Sequence, residues 1–471
     1  MKSRTHRLNR RTFLKGALVA GGAAAGVGGV VPFARLANAQ EHDPDAPDRY
    51  YIFCYFPGGW DILLSLDPRD PARFTNGNVR TTQIQPGYDQ LANTDGMLVE
   101  AGGLTFGPYI GDLATHISDL CVIRGMSMDT LTHEVGRRRF LTGKPPSGLQ
   151  ARGSSGATWL ASHFGGGEAI PNLSVQVESY NKGLPNYAAA LRVNSVTDLL
   201  RALEASPPMV GSMVQRQVGL RLHEAAYCGR GKASPLWSAA EASRKKAAEM
   251  VTGGVSGAFQ FRSNSGAMQD LRAHYEFEPF RTNTPEVQAA IAVQAITTGI
   301  SRCVSIAMSE SLDTHFDDWA TDQGPRQARG FRAISKMVQD LKQRMHPVSG
   351  ESWFSHTTII GFSEFSRTSL LNSRGGRDHA LTNACFLLGG GVQGGQVIGA
   401  SSDVGMQPTT TNLATGQTDP EGEVIRPEHV LQTLFDEVGL GQAPDLRVPE
   451  CRIDVLNPCD VPYAIPALMR G

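Results

Sequence analysis

The sequence predicts an α/β fold: a mostly parallel central sheet with helices on both faces, carrying a helical insertion. Three observations predict it. Six apolar runs of strand length recur along the chain, without polar alternation, as strands buried on both faces require. Helical patterns separate several of them, which is how parallel strands are connected. At 471 residues, with 19% charged and 41% hydrophobic residues, the chain is globular and long enough for a large core.

The first 39 residues read as a twin-arginine export signal. "NRRTFLKG" holds Arg10 and Arg11, a glycine- and alanine-rich apolar run follows, and "LANAQ" offers a small-residue cleavage site before Gln40. The alternative, a transmembrane helix, fits poorly because the run is only weakly apolar. A periplasmic or secreted mature chain is therefore expected. The signal carries seven Lys/Arg and no Asp/Glu, so removing it leaves 37 basic against 45 acidic residues. That balance argues against nucleic acid or an anionic membrane as the main partner. No other stretch approaches the apolar length of a span.

Strands are predicted at "YYIFCYF" (50–56), "LCVIRGM" (120–126), "PNLSVQV" (171–177), "RCVSIAMS" (302–309), "TTIIGFS" (357–363) and "ACFLLGG" (384–390). Thr284 and Pro285 open a helix before the fourth run, and residues 325–345 form an amphipathic one before the fifth. A last helix starts at Pro427 and stops at Gly439. Residues 195–280 read as a helical insertion or cap, with Ser195 capping one helix and "WSAAEASRKKAAEMV" forming another. Residues 400–423 read as loop or hairpin. Of the seven cysteines, Cys54, Cys121, Cys303 and Cys385 fall inside strand-like runs and read as core residues. Cys451 and Cys459 bracket a short loop and can pair in an oxidising compartment.

Parallel sheets bind ligands beyond the carboxyl ends of their strands. Several polar groups stand at such places. Asp61, in "FPGGWD", is either a cation ligand or a turn or N-cap aspartate. "ESLDTHFDDW" holds Asp313, His315, Asp317 and Asp318. Asp313 and Asp317 share a helix face, whereas His315 joins Asp313 only if the segment is loop or strand. Thr132, in "TLTHEVGRRRFLTGK", is a helix N-cap or a nucleophile at a helix N-terminus, and Arg137 is a candidate anion clamp. Glu364 follows the fifth strand. In "GRDHA", His379 is a candidate ligand with Asp378 behind it. Two motifs fail their context. "GGGVQG" matches a dinucleotide fingerprint but leads into strand-like "GQVIGAS". "GFSEF" departs from the nucleophile elbow at Phe365, which leaves a serine hydrolase using Ser363 as a remote alternative.

Taken together, the export signal, "FPGGWD", "LDTHFDDW", "SEFSR" and "GRDHA…GGGVQGGQVIG" resemble the bacterial domain-of-unknown-function 1501 family, of the alkaline phosphatase and sulfatase-like superfamily. The resemblance implies that residues 40–471 form one alkaline phosphatase-like domain with a bimetallic site at the sheet edge. It implies a first-strand ligand at Asp61, a nucleophile at Thr132, then Asp313 with His315 or Asp317, Glu364, and His379. Three departures stand out. Glu364-Phe365 replaces the adjacent Asp-His pair, the "DTH" spacing is short, and no CxPxR motif precedes "LTGK". His133 can replace Thr132 in the nucleophile's role.

The expectation is an exported metal-dependent hydrolase of phosphate or sulfate esters. It would use Zn, Mn, Mg or Fe, with one ion or none remaining, and Arg137 or Arg367 would hold the anion. The substrate would be a small or envelope-derived anionic ester. The rival expectation is a non-catalytic secreted binding protein of the same fold.

Overall fold

A computed structural model describes residues 48–441, apart from 93, 146, 149, 205–211 and 228–253, together with 464–470. The export signal, the basic helical pattern of residues 237–251 and the Cys451/Cys459 pair lie outside the described residues.

Eight strands form the central sheet. They are β1 Tyr50–Tyr55, β2 Leu120–Ser127, β3 Asn172–Val175, β4 Leu191–Val193, β5 Cys303–Ala307, β6 Thr357–Phe362, β7 Thr382–Gly389 and β8 Gln396–Ile398. Their spatial order is β8-β2-β7-β6-β1-β5-β3-β4. The six apolar runs supply six strands, and "GQVIG" supplies β8. β4, a short strand at the sheet edge, was not anticipated. Every neighbouring pair is parallel except those of β7, which runs antiparallel to both β2 and β6.

That one reversal places the site. A strand running backwards begins where its parallel neighbours end. Residues just before β7 therefore share a rim with residues just after β1, β2, β5 and β6.

Two apolar layers explain the unbroken hydrophobic runs. Along β1, Ile52, Cys54 and Phe56 face one core, while Tyr51, Phe53 and Tyr55 face the other. Each fully buried large apolar side chain contributes roughly 1.5–3 kcal/mol. The first core is covered by α3 (Pro285–Thr297) and α4 (Gly324–Gln343). In α4 the buried positions Gln327, Phe331, Ile334, Val338 and Leu341 recur at helical spacing. The second core is covered by α1 (His133–Thr142), α2 (Gly156–Phe164) and α5 (Pro427–Glu437). The described part of 195–280 includes helices Val196–Leu203 and Gly266–Tyr275, whose apolar faces join the first core. Cys54, Cys121, Cys303 and Cys385 are free, buried thiols. Residues 410–411 pair with 423–424 in the small hairpin expected there. Among the described residues, no helix is long and apolar enough to cross a membrane.

Candidate metal centre

Four segments bring functional side chains to the rim. β2 leads to α1, whose first residue is His133. β5 leads to an irregular stretch holding Asp313 and His315. β6 leads to Glu364, Phe365 and Arg367. The fourth segment enters β7: His379–Ala380 pairs antiparallel with Ser366–Arg367, which sets His379 opposite Arg367. Two close approaches need glycine. Gly58 has φ +103°, and a Cβ there would lie 2.4 Å from Leu312 N and 2.6 Å from Asp313 N. At Gly136 a Cβ would lie 2.3 Å from the Glu364 carbonyl oxygen. The first glycine lets the β1 turn touch the Asp313 loop, and the second lets α1 touch the Glu364 turn.

Three imidazoles point Nε2 toward one centre, and each has its Nδ1 held from behind. His133 Nδ1 lies 2.8 Å from Glu364 Oε1, His315 Nδ1 lies 2.9 Å from Asp378 Oδ1, and His379 Nδ1 lies 2.6 Å from the Leu131 carbonyl. A carbonyl and an ionised carboxylate can only accept, so each Nδ1 must donate. Each Nε2 of a neutral ring is then a lone pair aimed inward. At the centre Asp313 Oδ1 stands 3.3 Å from His133 Nε2, 3.0 Å from His315 Nε2 and 3.5 Å from His379 Nε2. His315 Nε2 and His379 Nε2 are 3.0 Å apart. Arg367 donates to two of these acceptors, Asp313 Oδ1 at 2.7 Å and His315 Nε2 at 3.2 Å. With neutral rings the lone pairs of His133 and His379 face the carboxylate, an arrangement a further cation among them would relieve. Donor atoms around a tetrahedral zinc ion stand about 3.3 Å apart, close to these separations.

His133, Asp313 and His379 together form a group able to hold a metal ion, with their ligand atoms within 4.8 Å of one another. His315 is flanked differently: Arg367 Nη1 lies 3.2 Å from its Nε2 and competes for that lone pair. The group is therefore three ligands with His315 beside them, and three protein ligands leave a coordination position open.

Charges around the centre favour ion uptake. Burial opposes ionisation of Glu364, but hydrogen bonds from His133 and from the Gly58 N–H outweigh it and hold its carboxyl low. Burial also opposes ionisation of Asp313, yet Arg367 and the histidines bring it down to about 2. The hydrogen bond with His315 lowers Asp378. His379 is lowered, by burial first and then by the neighbouring Arg367, His133 and His315 charges, so a proton does not readily relieve its clash with His315. Burial alone would lower His133, but the hydrogen bond and charge of Glu364, with Asp313 behind, leave it raised.

A pH prediction follows from His133. In ion-free protein its raised pKa gives stability that is full below the ordinary imidazole range and lost as pH rises through the raised value. An incoming ion displaces that proton from Nε2. Zinc affinity should therefore keep rising with pH beyond about 6.5. Calorimetry in two buffers of different ionisation heat should show proton release on binding near neutral pH. Affinity that is flat in pH, with no release, contradicts this.

The remaining candidates sit elsewhere or act differently. Asp61 is fully buried and caps the turn Ile62–Leu64; it accepts from Leu63 N at 3.0 Å and Trp319 Nε1 at 2.7 Å, and pairs with Arg377 Nε at 2.9 Å. Its carboxylate is thus committed to structure, as its N-cap reading allowed. Glu364, anticipated as a ligand, stands behind His133, and Asp378, anticipated as a ligand or as the acid behind His379, stands behind His315. Asp317 is exposed and outside the metal-binding group, because the segment is irregular where a helix face would have paired it with Asp313. Thr132 holds the N-cap position, but among the described residues its hydroxyl meets only Thr130 Oγ1, at 3.4 Å. Arg137 pairs with Glu178 at 3.0 Å. Arg367 is buried and all five of its N–H groups are engaged, by Gly58 O, Gly59 O, Arg377 O, His315 and Asp313. Arg367 therefore has no free fork for an anion, whereas Arg137 is paired in charge with Glu178 but keeps a buried Nε without a hydrogen-bond partner. Ser363 is buried against Phe56 O, Trp60 N and Glu364, and among the described residues no histidine bonds to it.

Phe365 occupies the place where the resemblance called for an imidazole. Its ring centroid lies 4.8 Å from that of His133 and 4.3 Å from that of His379, forming an apolar wall. Beside His379 opens a cleft of about 590 Å³, bordered by Leu131, Asp378 and Leu381.

The fold and site thus define an α/β protein with a two-histidine, one-aspartate candidate metal centre on the rim of its sheet. A family model described as "Protein of unknown function (DUF1501)" matches residues 49–417, and the chain belongs to that family. No curated protein matches the chain. A solved sulfatase-related structure, from work on glycosaminoglycan metabolism by Bacteroides thetaiotaomicron, is similar at 10% identity and a TM-score of 0.31. That likeness covers 84% of this chain and 74% of the other, and carries no argument about activity.

Proposed function

We propose that this protein is an exported, metal-dependent hydrolase of phosphate or sulfate esters, working with one divalent ion on His133, Asp313 and His379. The observation that supports it is the convergence of lone pairs whose Nδ1 atoms are fixed by acceptor-only partners. Two imidazoles and one carboxylate suit zinc or iron better than magnesium. Such an ion, when bound, supplies Lewis-acid polarisation of an ester oxygen and a water acidic enough to attack near neutral pH.

The chain's own residues set the rest. Glu364, Asp378 and the Leu131 carbonyl hold the rings in register. Phe365 closes one side against water. In the reaction, water adds to phosphorus or sulfur, the bond to the alcohol oxygen breaks, and the alcohol leaves with a proton. Water suits the attacking role better than Thr132, whose hydroxyl, among the described residues, hydrogen-bonds to Thr130 Oγ1 and to no base. Charge favours a monoanionic ester. A divalent ion with Arg367 and Arg374 outweighs Asp313, Glu364 and Asp378 by one charge, which a monoanion neutralises and a dianion exceeds. Sulfate monoesters and phosphodiesters fit better than phosphate monoesters.

The second reading, a binding protein without turnover, is favoured by the full engagement of one candidate clamp, Arg367. Metal analysis of the full chain comes first: we expect about one equivalent of zinc or iron, falling below about a tenth in His379→Ala. A wild-type content below a tenth ends the proposal. Turnover of aryl sulfates and phosphodiesters by loaded protein then separates hydrolase from binder.

A further inference from the structure

We infer that the cleft beside His379 binds the apolar organic half of the ester, an alkyl or aryl group. This rests on the reading above, that an ion occupies the neighbouring cluster. The cleft and the cluster share a part: Leu131 lines the cleft, and its carbonyl fixes His379 Nδ1. Whatever reaches the ion's open position from this side passes along Leu131.

The lining explains the chemistry. Leu131, Leu381 and Val404 are large apolar side chains left 45%, 45% and 55% exposed, and all three border this one cleft. Leu370 and Met406 continue the apolar wall. Several polar side chains of the lining are turned to the protein's own groups, while the exposed amides of Gln83 and Gln407 stand at its edge. Ser369 donates to Gln83 O, Thr368 to Leu370 O, and Asn372 to His315 O and Asp378. The charged lining residues are equally committed, Arg367 through all five N–H groups and Asp378 to His315. The lining therefore presents apolar surface without a free counter-charge. A sugar would meet few unengaged partners there, whereas an alkyl or aryl group would bury its surface beside the reacting bond. The volume is within the range of small-ligand sites.

The test is equilibrium binding of non-hydrolysable alkyl sulfonates of increasing chain length to the zinc-loaded full chain. Affinity should rise roughly fourfold per added methylene until the cleft is filled. Leu381→Asp and Val404→Asp should flatten that dependence while metal content stays unchanged. Neutral alcohols of the same lengths, titrated into wild-type protein with and without zinc, read the cleft apart from the ion. A flat series for both ligand types in wild-type protein overturns the inference and leaves the metal centre standing. A rising alcohol series in a protein that takes up no metal supports the cleft and overturns the metal reading instead.

Discussion

Asp313→Asn should remove ion binding, with zinc affinity falling more than about 100-fold. The substitution keeps the shape of the side chain and an oxygen in place. What it removes is the anionic donor among the three ligands, and with it the counter-charge 2.7 Å from Arg367 Nη2. The guanidinium, buried and tied to the backbone, would then face the incoming ion unbalanced. Outer carboxylates matter less: Glu364→Gln, which changes only the group behind His133, should cost about 10–100-fold. Titration calorimetry with zinc measures both, and equal affinity in Asp313→Asn and wild type would refute the ligand assignment. Because Asp313 ionises down to about pH 2, loss of the ion on acidification should follow the imidazoles rather than this carboxylate. The carboxylate's own contribution to stability holds above the ordinary carboxylate range and disappears only as pH falls toward that low value.

Asp61→Ala should be among the most destabilising single changes in the protein while leaving the ion in place. Asp61 and Arg377 are both fully buried, and the pair is 2.9 Å apart. Truncating one partner leaves an uncompensated guanidinium under Trp319, which costs about 3–5 kcal/mol. Loss of the accepted Trp319 and Leu63 hydrogen bonds adds to it. Denaturant unfolding followed at the tryptophans measures the loss. Metal analysis, below the variant's own melting point, should still find about one equivalent. A stable Asp61→Ala protein lacking metal would reverse the assignment and make Asp61 a ligand.

Much of the fold was legible because burial on both faces leaves a direct trace. "YYIFCYF" and "TTIIGFS" are continuous apolar runs for the reason that both of their faces are covered. The helix Gly324–Gln343 was legible from its spacing. β4 was not, since three residues at a sheet edge carry too little pattern. At the site, the residue types were visible but their order about the centre was not. His379 and Asp313 were named as ligands. His133 was named only as a rival nucleophile, because a histidine beside a helix N-cap looks local. Its partner Glu364 is 231 positions away. Asp378 was set behind its neighbour His379, yet it holds His315, because the loop from β5 crosses in front of it.

The sequence by itself determined most of the sheet's strands, that polar groups gather at strand ends, and which residue types could serve an ion. Chain-local pattern suffices for that, because secondary structure and burial are periodic in the sequence. Only the tertiary structure decided which carboxylates face the centre and which stand behind it. That choice depends on the reversed direction of β7, the contact of α1 with the Glu364 turn through Gly136, and the engagement of Arg367 by five partners. Each of these is a contact between segments far apart in the chain, and distance along a sequence does not encode direction in space.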